Sequence, residues 1–398
     1  MTYKTIILRR GKEESLKRYH PWIFSGAIAR LPEMLTEGET VRVESHDGRY
    51  LATGHYQVGS ISVRVLSFRD VEINSTFWQQ KISAALTLRR TLQLTRDTNP
   101  DNEMFRLVHG EGDGLPGLIV DVYGETAVIQ AHSVGMHLNR SAIADAILNV
   151  PEGNITTIYY KSESTLPYKA DLREKEGYLT DTTNAPNIAK ENGLRFHIDW
   201  LQGQKTGFFV DQRENRLLLE RYSHGRHVLN MCCYTGGFSV YALRGGAKAV
   251  CSVDSSAKAI QLTEENVALN FPEDRRHEGV VAEAFQFLRQ TKYGSYDLIV
   301  LDPPAFAKRQ SALHNALKGY TRLNAAALEV LPPGGFLFTF SCSQAVSAMQ
   351  FRLAVLTAAA QAGRSVRILH QLHQPADHPV SIYHPEGEYL KGLVLAVE

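Results

Sequence analysis

The chain has 398 residues, 43% of them hydrophobic, and a formal net charge of +1. That length and apolar content call for two or three domains with substantial cores, and the near-zero charge excludes a global basic field as a means of holding nucleic acid. Four cysteines with no repeated Cys-x-x-Cys argue against a disulfide framework or a structural zinc site, so no metal is expected.

The first residues, MTYKTIILRRGKEE, contain no apolar leader core, and no stretch approaches the roughly 18 apolar residues of a membrane span. The expectation is a soluble, cytoplasmic protein with free thiols. Residues 1–30 carry seven Lys/Arg against two Glu. Arg9, Arg10, Lys12 and Arg18 are therefore candidate phosphate contacts beside the aromatic run His20–Phe24. For Trp22 and Phe24 themselves the plainer expectation is core packing. Alternating short runs follow at Thr40–Glu44, Tyr50–Tyr56 and Ser62–Phe68, with turn signals at Asp47-Gly48 and Val58-Gly59. Residues 1–76 read as a small β-rich domain.

Phe77–Leu94 has helical spacing. Phe105–Val108, Leu118–Val122 and Ala127–Ala131 read as strands, His137–Asn149 as a helix, and Thr156–Lys161 as a further strand. Residues 77–188 are expected to form an α+β domain. Gly112, Gly114 and Gly117 are spaced like a phosphate cradle, but no helix follows, so a hairpin turn is the better reading.

The third domain, residues 189–398, carries the chemistry. Gln204–Arg213 (QKTGFFVDQR) is dense in polar and aromatic types, and Gln212 and Arg213 open a helix over 211–221 as candidate cofactor contacts, with a surface position as the alternative. Phe208 or Phe209 is a candidate to face an aromatic ring. Val228–Leu243 (VLNMCCYTGGFSVYAL) reads as strand, glycine turn and helix, the first half of a nucleotide-binding α/β unit. Asn230, Tyr234, Thr235, Gly236 and Gly237 are its candidate cofactor contacts, the two glycines because a ligand can approach a backbone without Cβ atoms. Asp254, 18 positions after Gly236, ends the next apolar run, where an acid accepts hydrogen bonds from a ribose. Its plainer role is to cap the helix that follows. Ser255 lies beside it, and Glu283 occupies the end of the third strand. Tyr296–Lys308 (YDLIVLDPPAFAK) is a buried strand that must leave the sheet at Asp302-Pro303-Pro304. That turn presents Asp302 at the ligand-binding edge, with Pro303, Pro304 and Lys308 toward a substrate. Gly335–Ser343 is a strand ending on Cys342 at the same edge. Gly319–Leu331 reads as an amphipathic helix, Ser365–His370 and Leu393–Val397 as two last strands, and His378 between them as a structural histidine or a pocket residue. Cys232, Cys233 and Cys251 read as packing residues.

The glycine turn lacks the G-x-G-x-x-G of nicotinamide enzymes. An acid after strand two and Asp-Pro-Pro after strand four instead resemble a class I S-adenosylmethionine methyltransferase, and the cysteine after the next strand narrows that likeness to methylation of carbon. GKEESLKRYHPWIFSGAI, FRLVHGEGDGLPGLIVD, KTGFFVDQRENR, YTGGFSV, DPPAF, TFSCS and ADHPV-x₃-HPEG-x-YLKG together resemble the ribosomal large-subunit methyltransferase I family across almost the whole chain. The resemblance implies an α/β fold: a PUA domain, a middle domain of β-β-α-β-β type, and a Rossmann-like methyltransferase domain at the C-terminus. It implies S-adenosylmethionine as cofactor and C5 of a cytosine in 23S ribosomal RNA as target, with Cys342 as nucleophile, Asp302 as the acid of the DPP motif and Asp254 as ribose ligand. The chain departs from the family at Cys232, where an aromatic is usual, and at Ala282-Glu283, where one acid of a pair is left. A possible homodimer completes the expectation. Two rival readings differ in chemistry. One is a guanine or adenine N-methyltransferase using Asp-Pro-Pro without a nucleophilic cysteine, and the other is a non-catalytic RNA-binding protein.

Overall fold

In the computed structural model, which describes residues 3–167, 176–182, 185–307 and 309–398, the chain separates into two units. One is built from Met1–Gly193, Ile198–Val210 and Ala376–Gly387, the other from Leu194–His197, Asp211–Pro375 and Glu388–Glu398. Among the described residues, no helix is long and apolar enough to cross a membrane.

In the first unit, β1 (Lys4–Leu8), β2 (Trp22–Phe24), β3 (Ile28–Arg30), β4 (Thr40–Glu44), β5 (Tyr50–Tyr56) and β6 (Ile61–Ser67) form a six-stranded sheet in the order β2-β6-β5-β4-β1-β3, with the short helix α1 (Glu14–Lys17) after β1. Its core is Ile6, Leu8, Leu16, Ile23, Val41, Val43 and Val63 with their neighbours. The core placement expected for Trp22 and Phe24 is corrected here: Ile23 is buried against Val63, and Phe24 is 48% exposed. Side chains alternate across a strand, so a three-residue strand turns its middle residue into the sheet's core and its two aromatics to the other face, where Trp22 is half-buried against His384 and Glu111.

The helix α2 (Ser75–Thr91), capped by the Asn74 side chain on the Phe77 N–H, leads to β7 (Met104–His109), β8 (Leu118–Tyr123), β9 (Thr126–Ala131), the helices α3 (Val134–Leu138) and α4 (Arg140–Leu148), then β10 (Thr157–Tyr160), β11 (Gly177–Tyr178) and β12 (Ile188–Glu191). Five of these strands pair in the order β11-β10-β9-β8-β7. The glycine-rich stretch is a single 3-10 turn, Gly110–Asp113, within the antiparallel β7–β8 connection. A Cβ on Gly112 would lie 1.8 Å from the carbonyl oxygen of Pro379, so this glycine makes room for the chain's own backbone. The Ala376–Gly387 segment is held by charged groups as well. Arg89 bonds Asp113 through both nitrogens (2.5 and 2.8 Å) and the Asp377 carbonyl at 2.8 Å, while the Asp377 carboxylate accepts the Arg106 N–H at 2.9 Å. His378 is fully buried in this unit, its Nδ1 3.1 Å from Asp377 Oδ1.

The second unit runs β13 (Leu194–His197), α5 (Arg213–Ser223), β14 (His227–Met231), α6 (Gly237–Arg244), β15 (Ala249–Asp254), α7 (Ala257–Asn270), β16 (His277–Val281), α8 (Ala284–Gln290), β17 (Leu298–Leu301), α9 (Leu313–Val330), β18 (Phe336–Ser341), α10 (Ala348–Gln361), β19 (Val366–His373) and β20 (Lys391–Val397). Seven strands form one sheet, β16-β15-β14-β17-β18-β20-β19, in which the first five are parallel and β20 is antiparallel to both neighbours. Strand order reverses between β14 and β17, the switch point where ligands of such sheets bind. The central strands are continuous apolar runs because helices cover both faces: Leu298–Leu301 is buried at every position. Helix α9 starts at Leu313, earlier than the 319 read from the sequence. Gly319 lies inside it because a Cβ there would come within 2.9 Å of the Phe306 ring.

Candidate active site

Parallel register brings the strand ends together. Met231 of β14 pairs with Leu301 of β17, Leu301 pairs with Thr339 of β18, and Ser341 pairs with Lys391 of β20. The residues that follow these ends therefore share one edge of the sheet: Cys232–Gly236, Asp302, Cys342 and, opposite the end of β18, Lys391. Asp254 and Glu283 follow from β15 and β16 on the same edge.

The loop after β14 is bent by alternating left-handed residues, Cys232 (φ 56°), Tyr234 (φ 49°) and Gly236 (φ 76°). Two of these carry side chains, a conformation that costs about 1–3 kcal/mol each and persists where surroundings enforce it. Asp254 enforces it here: its two oxygens accept the Tyr234 N–H at 3.0 Å and the Ser256 N–H at 2.9 Å. The Thr263 hydroxyl donates to the Tyr234 carbonyl and the Asn266 amide to the Thr235 carbonyl. Asp254 does not cap α7, since Ser256 takes that position by accepting the Ala259 N–H. This leaves its carboxylate half-buried at the loop, holding the two amides. Ser255 is exposed beside it.

The two glycines of this loop are closely packed by neighbouring helices. A Cβ on Gly236 would lie 2.4 Å from Thr263 Cγ2, and one on Gly237 3.0 Å from Arg216 Cδ. The missing Cβ atoms thus make room for Thr263 of α7 and Arg216 of α5. Asn230 is also turned inward: its amide donates to Ser239 Oγ, which is 2.6 Å from Ser252 Oγ. The Asn230 carbonyl oxygen is buried with no hydrogen-bond partner among the described residues.

Around Asp302 the picture is electrostatic. Gln212 Nε2 donates to Asp302 Oδ2 at 3.0 Å and is itself fixed by Asn215 at 2.6 Å. Gln212 and Arg213 are both buried, so the surface alternative falls away. Burial, and then the charge of Asp211, push the Asp302 pKa up to about 7, against the Gln212 hydrogen bond and Arg216. Asp211 is oriented by the Tyr389 hydroxyl at 2.7 Å. Burial likewise pushes the Cys232 thiol up to about 12, helped by Asp254, Asp302 and Glu283, so three carboxylates converge on this loop. Glu283 is exposed and caps α8 through the Gln286 N–H at 2.8 Å.

Cys342 is half-buried and outside any disulfide. Lys391 Nζ donates to the Ser343 and Val346 carbonyls at 2.6 and 2.7 Å, and burial lowers its pKa to about 8, opposed by the charge of Cys342. Tyr320 of α9 accepts the Ser341 hydroxyl at 2.8 Å, and burial pushes its phenol up to about 12, with Cys342 adding to the rise. Sequence reasoning missed Lys391, Tyr320 and Asp211. Lys391 lay within the quoted YLKG, but only the antiparallel pairing with β18 brings it beside the cysteine. Pro303 is buried and Pro304 exposed, whereas Lys308 lies outside the described residues. Arg9, Arg10, Lys12 and Arg18 are all exposed in the first unit, and Phe208 is buried there, with its carbonyl bonded to the Tyr123 hydroxyl.

Residues 177–391 match the family model of S-adenosylmethionine-dependent methyltransferases, and residues 6–68 match a PUA-like domain. Over 401 residues the chain is 39% identical to ribosomal RNA large subunit methyltransferase I of Klebsiella pneumoniae (strain 342), covering 99% of this chain and 98% of that one. Two solved structures share the fold at 23% identity, each over 99% of this chain and 100% of theirs. One is a Streptococcus mutans protein assigned as a SAM-dependent methyltransferase (TM-score 0.81), the other the methyltransferase-assigned SMU.776 complexed with SAH (TM-score 0.82). The chain belongs to the ribosomal RNA large subunit methyltransferase I family and carries an S-adenosylmethionine-dependent methyltransferase domain.

Proposed function

We propose that this protein forms 5-methylcytosine in 23S ribosomal RNA, naked or in a partly assembled large subunit, through a transient covalent bond between Cys342 and C6 of the target base. The observation that carries the reading is that Cys342 and Asp302 lie just past the ends of two neighbouring parallel strands, β18 and β17.

The cofactor fits this chain's residues. The Asp254 carboxylate keeps acceptor capacity for ribose hydroxyls beyond its two amide contacts, the Asn230 side-chain oxygen two residues before the loop has no hydrogen-bond partner among the described residues, and Glu283 would offer a further acid at the same sheet edge. When bound, S-adenosylmethionine supplies an electrophilic methyl group to an activated C5. Cytosine C5 is a weak nucleophile, and addition of the Cys342 thiolate to C6 pushes electron density onto it. Lys391, anchored on two carbonyls just past Cys342, favours the thiolate. With its pKa raised toward neutrality by burial and Asp211, Asp302 can donate a proton to N3 as the adduct forms and take it back on elimination. Loss of the C5 proton to a base expels the thiolate and restores the ring. A base inside a stack cannot be attacked at C6, so the target cytosine is flipped out or single-stranded. Arg9, Arg10, Lys12 and Arg18 are proposed to hold phosphates, with the exposed ring of Phe24 as a stacking surface.

The test is product identification. Ribosomal RNA from cells lacking this protein is incubated with tritiated S-adenosylmethionine and enzyme, and its nucleosides are resolved by mass spectrometry. 5-Methylcytidine supports the proposal, whereas a methylated purine or an exocyclic-amine product overturns it in favour of nitrogen chemistry.

A further inference from the structure

Apart from the methyltransferase edge, the first unit brings His20, His384 and Glu386 together. His20 Nε2 is 3.6 Å from Glu386 Oε1, His384 Nε2 is 3.8 Å from Glu386 Oε2, and one donor atom from each of the three residues lies within 4.8 Å of the others. Around a tetrahedral ion with bonds near 2.0–2.1 Å, ligand atoms are about 3.4 Å apart, so small side-chain shifts close the set. His384 is 2% exposed, and among the described residues neither of its ring nitrogens has a hydrogen-bond partner. A buried imidazole with no partner is costly unless something else takes its lone pair.

We infer that His20, His384 and Glu386 bind a divalent first-row transition ion of the zinc class. Two imidazoles and one carboxylate suit Zn²⁺ or Fe²⁺ and disfavour Mg²⁺ and Ca²⁺, which prefer oxygen ligands throughout. Three protein ligands leave a position for water. The surroundings supply the orienting contacts such sites use. His20 Nδ1 accepts the Trp22 N–H at 3.2 Å and lies 3.4 Å from the Trp22 carbonyl, so binding through Nε2 asks this ring to exchange the first contact for a bond donated to the carbonyl. The Trp22 indole stands 4.3 Å from the His384 ring and donates to Glu111 at 2.8 Å, which holds a second carboxylate close by. His20 lies two residues before β2, His384 immediately before the 3-10 turn Pro385–Gly387 and Glu386 within it, so the ion clips the Ala376–Gly387 segment to the N-terminal sheet. The cysteine spacing that argued against zinc does not bear on this site, which uses no thiol.

The full-length protein, freed of metal by chelation, is titrated with Zn²⁺ alone against a chromogenic competitor, and Co²⁺ is then used as a spectroscopic probe. One equivalent is expected, with cobalt d–d absorption but no thiolate charge-transfer band. Glu386→Gln, at a position 49% exposed and so tolerated by the fold, should weaken binding at least about tenfold, and His384→Gln should do likewise. Zn²⁺ should raise the unfolding temperature of the wild type and not that of Glu386→Gln. Absence of binding, affinity unchanged in Glu386→Gln, or a thiolate band would each overturn the inference.

Discussion

Replacing Asp302 with Asn tests the electrostatics of the site directly. Burial and the nearby Asp211 raise the folded-state pKa of Asp302 from 3.8 to about 7. The folded chain therefore holds a proton that the unfolded chain has already released. Stability falls as pH rises from about 4 to about 7 and levels off above that. Three pKa units correspond to about 4 kcal/mol. Asp302→Asn keeps the side-chain shape and an oxygen for the Gln212 amide, yet has no charge to bury. We expect the variant to be more stable than wild type at pH 8 by up to about 4 kcal/mol. That is a rise in melting temperature of up to about 8–16 °C, at roughly 2–4 °C per kcal/mol for a unit of this size. The gap should close as pH falls toward 4, while methyl transfer is lost. Thermal melts of both proteins from pH 4 to 8 measure this. A variant no more stable than wild type at pH 8, or a gap independent of pH, would refute the reasoning.

Other substitutions probe other parts of the account. Gly236→Ala puts a Cβ against Thr263 at a left-handed backbone position and should destabilise by about 1–3 kcal/mol. Adding Thr263→Ser, which removes the clashing methyl, should recover part of that in denaturant melts. Arg89→Leu strands the Asp113 carboxylate in a buried position and should lower stability by about 3–5 kcal/mol, and a loss below about 1 kcal/mol would contradict the burial of that pair. Lys391→Met removes the cation beside Cys342, so the acid limb of the kcat/KM profile should move to higher pH by about one unit. An unmoved limb would remove Lys391 from the activation of the thiol.

Much of the methyltransferase unit was legible because buried parallel strands read as unbroken apolar runs, and the residues that end them stand out. Asp254, Asp302 and Cys342 each close such a run, and the sheet order then brings their ends to one edge. Local patterning failed where long-range packing decides. The need for glycine at 236 and 237 is also set by Thr263 and Arg216, which an added Cβ would meet and which no local pattern reveals. Trp22 and Phe24 looked like core, yet a three-residue strand buries only Ile23. Nothing between β19 and β20 signals that Ala376–Gly387 belongs to the first unit, because its partners, Arg89, Arg106 and Gly112, lie hundreds of positions away in sequence. Lys391 and Tyr320 were missed for the same reason.

The central claim is the covalent role of Cys342, and trapping tests it most directly. RNA carrying 5-fluorocytidine has no C5 proton to lose, so an adduct formed at C6 cannot be released after methyl transfer. The account predicts a denaturant-stable protein–RNA complex that requires S-adenosylmethionine, forms with wild type, is absent with Cys342→Ala, and maps by mass spectrometry to Cys342. A wild-type enzyme that methylates normal RNA yet forms no such complex, or a Cys342→Ala variant that still methylates, would contradict it.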